Sequence, residues 1–161
     1  MESATVAERR PRNLQGAIYG TILALSVTAV GSAKETDWQV FFSVLTTSLV
    51  FWLVHVYAGV LAARLERGAP LVDAIRHEGA REWPLVQAAV PVLVPLFLGA
   101  SGVLGEHTGY WLAISVGTIV LAGFGVRMVK QEGGGTVAMV VVAAINVSVG
   151  LLFVLLKVLV H

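Results

Sequence analysis

The stretch WQVFFSVLTTSLVFWLVHVYAGVLAA, residues 38–63, decides the fold class of this chain. It contains no Asp, Glu, Lys or Arg, and it is longer than the roughly 20 apolar residues that a helix needs to cross a bilayer. Because lipid offers the backbone no hydrogen-bonding partner, a membrane-crossing segment is stable only as a helix or within a closed barrel. The stretch lacks the alternation of a barrel strand, so it predicts a transmembrane helix.

Four further apolar segments accompany this one and predict an all-α integral membrane bundle of five transmembrane helices. The expected spans are residues 14–33, 38–63, 83–104, 110–126 and 136–160. Composition agrees, because 57% of the residues are hydrophobic, 13% are charged and the mean hydropathy is +0.82, whereas soluble domains carry about 25% charged residues. We expect one transmembrane domain over residues 14–161, preceded by a disordered cytoplasmic tail over residues 1–13.

The distribution of basic residues predicts the orientation of the bundle. With the N-terminus in the cytoplasm, nine of the eleven Lys and Arg residues fall on the cytoplasmic side, and only Lys34 and Lys157 fall outside. This excess follows the positive-inside rule. We therefore expect a protein integral to the cell (inner) membrane, with a cytoplasmic N-terminus and with His161 at the outer side.

The loop between the second and third spans predicts a helix of its own. Pro70 is suited to a first helical turn, and the apolar residues after it recur near one helical face. Those apolar residues are Leu71, Val72, Ile75 and Trp83. The rest of the helix is polar and carries Asp73, Arg76, His77, Glu78, Arg81 and Glu82. This pattern predicts one short cytosolic amphipathic helix that lies along the inner membrane surface, with its charged face in solvent.

Small residues spaced by four occur along the first span, and small residues recur with similar spacing in the fourth span. The positions that we expect at helix–helix contacts are Gly16, Gly20, Ala24 and Gly117. Such spacing lets two helix backbones approach closely. The sequence leaves open whether these contacts form inside one bundle or at the seam of a dimer.

Polar side chains within or beside the spans are the candidates for a transport path or a polar core. They are His55, Tyr57, Ser48, Asn146 and Gln87. His55 is expected near the middle of the membrane, where ionisable side chains are costly and often functional. It either lines a transport path or is a neutral, packed histidine that fixes helix pairing. In both cases we expect it to point into the bundle or an oligomer interface, towards hydroxyl groups or Asn146.

Several kinds of chemistry find no support in the sequence. The chain has no cysteine, and its four histidines are scattered. No carboxylate pair, and no nucleophile with a base, is expected at one level of the predicted bundle. Asp73 with His77, and Glu78 with Glu82, are spaced by four, but we interpret both pairs as a solvated polar face. We therefore expect no enzymatic activity, no cofactor and no bound transition metal. A net charge of +1 gives no electrostatic reason for nucleic-acid binding.

The layout resembles the vacuolar iron transporter family. Residues 17–21 (AIYGT) are similar to the start of that family's first span, and residues 81–104, with their Trp-Pro start and internal prolines, are similar to its third span. The resemblance implies a transporter-like five-helix fold and a dimer. The family continues with Asn-Asp-Gly where this chain has residues 22–24 (ILA), so the acidic metal contact is replaced by Leu23. This difference argues against iron transport by the same chemistry. The chain also looks like five-span membrane proteins that are common in actinobacteria.

Two functions remain open at this point. The first is a transporter or channel for a small solute whose identity is unknown. The alternative is a non-transport membrane scaffold or regulatory module that acts through helix packing and the cytosolic amphipathic loop. A continuous polar cavity that reaches His55 would favour the first, and a packed bundle with an exposed apolar patch would favour the second. The expected partners are the lipid bilayer and further copies of the chain, with a dimer favoured.

Overall fold

A computed structural model describes residues 2–31, 35–105, 108–131 and 133–160 of the chain. These residues form six helices and no strand, so the predicted all-α class is confirmed over them. The helices are α1 Glu2–Val30, α2 Asp37–Arg67, α3 Leu71–Gln87, α4 Val90–Ala100, α5 Thr108–Gln131 and α6 Thr136–Val160.

Two helices, α2 and α5, are long and apolar enough to cross a membrane, and α3 with α4 makes a third such segment if the bent pair is one span. The described apolar parts of α1 and α6 are Gln15–Val30 and Thr136–Ser148, which are shorter than the roughly 20 residues of a full crossing. The part of the chain that the structure describes therefore supports two or three crossings, and the five predicted spans are not confirmed.

Helix α1 differs from the prediction at its start. The backbone is helical from Glu2, where a disordered tail over residues 1–13 was expected. Extending an existing helix by one residue is much easier than nucleating a new one. The polar N-terminal residues can therefore continue, towards the N-terminus, the helix that the apolar segment forms.

Helix α2 has strong signals at both ends. Thr36 and Gln39 form a capping box before its first turn, in which the Thr36 backbone N–H donates to Gln39 Oε1 at 2.8 Å. Gly68 ends the helix with a left-handed φ of 61°, and its N–H donates to the Arg64 carbonyl at 3.1 Å. At about 1.5 Å per residue the helix is about 46 Å long. It is thus longer than the hydrocarbon core of a bilayer, which is about 30 Å thick.

The predicted third span is broken in two. Helices α3 and α4 meet at a bend of 54°, because proline has no N–H to donate and disfavours a helical residue before it. Beside Pro91, the Val92 N–H donates to the Ala89 carbonyl at 3.0 Å rather than to the Ala88 carbonyl. The Ala88 carbonyl instead faces the Thr21 hydroxyl of α1 at 3.4 Å. That hydroxyl has a single O–H, and its nearer acceptor is the Ala17 carbonyl of its own helix at 2.9 Å. The bend therefore packs against a neighbouring helix, with a weak polar contact between the two.

Helices α3 and α4 together run antiparallel to α2 along its whole length. The indole ring of Trp52 packs against Trp83 at 5.7 Å, and the Trp52 Nε1–H donates to the Gly79 carbonyl at 3.2 Å. Nearer the start of α2, the rings of Phe41 and Phe97 lie 5.9 Å apart. The amphipathic helix is thus not a short, separate element on the membrane surface, because it forms half of a long hairpin with α2.

The main core lies where α1, α2, α4 and α5 meet. Its fully buried members include Ala24, Leu25, Val44, Val92, Leu96 and Leu121. A second, smaller cluster joins α2 to α3 and contains Val56, Val60, Ala63 and Ala74. Burial of these side chains is what fixes the α2–α3 hairpin against the rest of the bundle.

Candidate functional site

His55 lies on the surface of α2 and is bonded within its own helix. Its Nδ1 donates to the Phe51 carbonyl at 2.9 Å, and its ring lies 5.1 Å from the Phe51 ring. The imidazole is half-buried. The predicted hydrogen bond to a hydroxyl group or to Asn146 is wrong, because Phe51 of the preceding turn provides the acceptor.

The other four candidate polar side chains are also scattered over the bundle. Tyr57 is 67% exposed and Gln87 is exposed as well. Ser48 is fully buried, and its hydroxyl donates to the Val44 carbonyl at 2.8 Å. The Asn146 amide donates to the Val142 carbonyl at 2.9 Å. The structure therefore does not bring these residues together.

None of the five candidate residues lines any of the three clefts that the structure describes. One cleft lies between the start of α2 and the end of α4, one along α6, and one at the α2–α3 connection. The reason is local, because a Ser, Asn or His side chain in a helix can reach the carbonyl four residues before it and needs no partner from another helix.

The four small residues lie at contacts inside one bundle. Ala24 is completely buried. A Cβ built on Gly20 would overlap the Leu85 carbonyl oxygen of α3, and one on Gly16 would lie 3.8 Å from the Leu85 nitrogen. A Cβ on Gly117 would lie 2.6 Å from Cδ2 of Leu25 in α1. These positions are therefore occupied by neighbouring helices of the same chain, which favours packing within the bundle over a dimer seam.

The most constrained polar group lies elsewhere, at Glu78. This side chain is 1% exposed, so its predicted place on a solvated face is wrong. Arg81 Nη1 donates to its Oε2 at 2.7 Å, and Arg67 Nη2 lies 3.6 Å from its Oε1. Burial of a carboxylate is costly unless it is paired and hydrogen-bonded, and the two arginines supply the pairing charge.

A glycine on the facing helix makes room for this carboxylate. A Cβ built on Gly59 would lie 2.7 Å from Glu78 Oε2 and 3.0 Å from its Cδ. The sequence offers one signal that points to this burial. Ala74, Glu78, Arg81 and Leu85 are spaced by four, three and four, which places Glu78 on the same face as buried apolar residues.

The Glu78 cleft, as we call the space beside this carboxylate, has a volume of about 370 Å³. Small alanine side chains form its apolar wall, and its polar lining consists of Arg67, Asp73, His77 and Glu78. Over the described residues, no group of three or more His, Cys, Asp or Glu side chains is arranged to hold a metal ion. The cleft thus presents a buried carboxylate and an exposed guanidinium side by side.

Comparison with known proteins identifies no protein similar to this chain. No family model matches the chain, and no curated protein or solved structure is significantly similar to it. The resemblance to the vacuolar iron transporter family therefore stays a prediction.

Proposed function

We propose that the chain is a five-crossing protein of the cell membrane that acts as a non-transport scaffold or regulatory module, through the cytosolic end of its α2–α3 hairpin. One observation carries this proposal: His55 is bonded to its own helix, and none of the five candidate residues lines any of the three described clefts. A transport path needs polar groups that line a common space, and none of these three clefts provides one.

The directions of the helices support five crossings. Gly31 at the end of α1 lies against Val40 at the start of α2, and Gly99 at the end of α4 lies against Gly109 at the start of α5. Gly125, near the other end of α5, lies beside α6. Helices α1, α3–α4 and α6 therefore point one way, and α2 and α5 point the other. Alternating directions are expected of successive crossings, and the positive-inside rule then favours a cytoplasmic N-terminus.

The length of α2 supports a cytosolic end for the hairpin. From Asp37 to His55 the helix rises about 27 Å, and from Asp37 to Gly59 about 33 Å. With Asp37 at the outer boundary of a hydrocarbon core about 30 Å thick, His55 lies at the inner boundary rather than in the middle of the membrane. The exposed Tyr57 then stands at interfacial depth, where tyrosine is enriched. The charged turns around Glu78 lie beyond it, in reach of cytosolic partners.

Exposed apolar side chains cover the rest of α2 and much of α6. On α2 they include Leu49, Val50, Leu53, Val54 and Leu61, and on α6 they include Val137, Val140, Val141 and Ile145. Lipid is the natural solvent for these faces. The predicted homodimer remains part of the proposal, and its contact would have to use one of these faces, because the small-residue stripe of α1 is already packed inside the bundle.

A transporter-like role is the second candidate, and the broken α3–α4 helix is the observation that favours it. Broken helices border the substrate sites of many transporters. In this chain, however, the break is filled, since the Thr21 side chain lies 3.4 Å from the Ala88 carbonyl and Gly20 lies directly on the Leu85 carbonyl. The space that a substrate would need is thus occupied by α1.

Flux through reconstituted vesicles separates the two candidates. Proton flux is followed with a pH-sensitive dye and glycerol flux by light scattering, for the wild type and for His55→Leu. We expect both proteins to match protein-free vesicles. A wild-type flux that disappears in a well-folded His55→Leu variant would overturn the scaffold proposal in favour of transport.

A further inference from the structure

The Glu78 cleft contains a buried carboxylate oxygen without a hydrogen bond. Oε2 of Glu78 accepts from Arg81, which does not line the cleft. Oε1 accepts no hydrogen bond from any residue that the structure describes. Arg67, which does line the cleft, lies 3.6 Å from Oε1, too far for a hydrogen bond. Leaving a buried acceptor unsatisfied is unfavourable, so Oε1 is the point at which an external donor would be most strongly stabilised.

Arg67 supplies the second half of a binding site. Its side chain is 59% exposed, and it stands in the last turn of α2, immediately before Gly68. The guanidinium can therefore rotate away from Oε1 without any movement of the helix. A cation that entered beside Glu78 would take the place of Arg67 and leave the guanidinium for an anion. The cleft thus suits a ligand that carries one charge of each sign, because such a ligand keeps both buried and exposed charges paired.

The depth of the cleft indicates where such a ligand comes from. Glu78 packs on Gly59, which lies about 33 Å along α2 from Asp37. The hydrocarbon core is about 30 Å thick, so the cleft stands at the level of the inner lipid headgroups. Ammonium and phosphate occur together at that level in zwitterionic headgroups.

We propose that the Glu78 cleft binds an aminophosphate with a primary ammonium group, the chemistry of a phosphatidylethanolamine headgroup. The ammonium donates to Glu78 Oε1, and the phosphate pairs with Arg67. A primary ammonium has three N–H donors, whereas the quaternary ammonium of phosphatidylcholine has none. The cleft therefore discriminates between two lipids of equal net charge. This inference goes beyond the scaffold role, but its lipid source rests on the membrane placement of α2 in the proposed function.

Native mass spectrometry of the full-length protein tests the proposal. The protein is extracted from nanodiscs that contain equal amounts of phosphatidylethanolamine and phosphatidylcholine, and the retained lipids are counted. We expect the wild type to retain phosphatidylethanolamine with a preference of about tenfold. Ala69→Leu should abolish the preference by filling the cleft with all charges kept. Arg67→Gln should lower the amount of phosphatidylethanolamine that is retained, because it removes the partner of the phosphate. Glu78→Gln should also abolish the preference, and the other two variants provide the test if that one does not fold.

Arg64→Gln is the matched control, because it removes the same charge from the last turns of α2 without touching the cleft lining. It should keep the preference and the amount of phosphatidylethanolamine that is retained. An equal retention of both lipids by the wild type, or a loss of retained phosphatidylethanolamine in Arg64→Gln equal to that in Arg67→Gln, would overturn the proposal. Soluble phosphoethanolamine, added to pure phosphatidylcholine nanodiscs, identifies the source. A rise in Tm that requires Arg67 would assign the same chemistry to a soluble ligand, and no rise together with the lipid preference assigns it to the headgroup.

Discussion

Two positions one turn apart on α2 treat ionisable groups in opposite ways. His55 is a residue of α2 itself, and it is bonded to Phe51 of its own helix. At Gly59, four residues later, Glu78 of α3 is buried against α2 and held by arginines from both helices. In the sequence, His55 stands out because it interrupts an apolar segment, whereas Glu78 is one of several charged residues in a polar segment. The contrast teaches that an unusual residue in a sequence need not have partners on another helix. Those partners depend on which residues the facing helix presents.

The largest expected effect is the difference in water access between the apolar part of α2 before His55 and its last turns after Gly59. Single cysteines at Glu66, Val50 and Thr108 are tested with a membrane-impermeant thiol reagent in right-side-out and inverted vesicles. Because α2 is longer than a bilayer is thick, we expect Glu66→Cys to label only from the cytoplasmic side and Val50→Cys from neither. Thr108→Cys should label only from outside. Labelling of Glu66→Cys and Thr108→Cys from one side would contradict the alternating directions of the helices.

Loss of the Arg81 partner should have the next largest effect. Arg81→Met leaves Glu78 buried without its hydrogen bond, and removal of one partner from a buried pair costs about 3 kcal/mol. Arg76→Met is the matched control, since Arg76 is an exposed residue of the same helix, and it should change the free energy of unfolding by less than about 0.5 kcal/mol. Both are measured by reversible unfolding in detergent. Similar losses for the two variants would show that Glu78 is not the group that Arg81 stabilises.

Substitution of glycine should have opposite signs at two helical positions. Gly59→Ala places a Cβ 2.7 Å from Glu78 Oε2, and overpacking of this kind costs about 1–2 kcal/mol. Gly123→Ala meets no atom within 4 Å, so the better helix propensity of alanine should stabilise the protein by about 0.5–1 kcal/mol. The same unfolding measurement distinguishes the two. A stabilising Gly59→Ala would mean that Glu78 does not lie over this glycine.

The smallest effect is expected at His55. His55→Gln loses a hydrogen bond that is half-exposed and local to one helix, so the free energy of unfolding should change by less than about 0.5 kcal/mol. His55→Leu should be similarly mild. If either variant lost more stability than Arg81→Met, the imidazole would hold helices together, and the comparison between His55 and Glu78 would be reversed.

The sequence predicts the helices much better than it predicts their partners. The apolar stretch 38–63 predicts α2, which the structure places at Asp37–Arg67, to within four residues at either end. The spacing of Gly16, Gly20 and Ala24 is enough to indicate close contacts, since small residues serve few other purposes on a helix. Neither the bounds of a helix nor the spacing of its small residues indicates which helix it packs against.

The candidate site was missed for the same physical reason. A glutamate side chain is normally exposed to solvent. The burial of Glu78 is stable because Gly59 on α2 leaves room for it and two arginines pair with its charge. Those neighbours are brought together by the length and direction of the hairpin. Pro91 accounts for the break between α3 and α4, but the Thr21 hydroxyl that lies beside the Ala88 carbonyl comes from a distant part of the chain.

The place of Thr21 beside the Ala88 carbonyl also has a consequence for the order of assembly. In the proposed membrane placement, a carbonyl that has lost its helical donor is unfavourable in lipid. Helix α1 brings to within 3.4 Å of it a hydroxyl whose nearer acceptor is the Ala17 carbonyl at 2.9 Å. Since α1 is synthesised first, this additional donor is in place before the broken segment α3–α4 is made. Thr21→Ser keeps the hydroxyl, whereas Thr21→Val removes it while keeping the shape of the side chain.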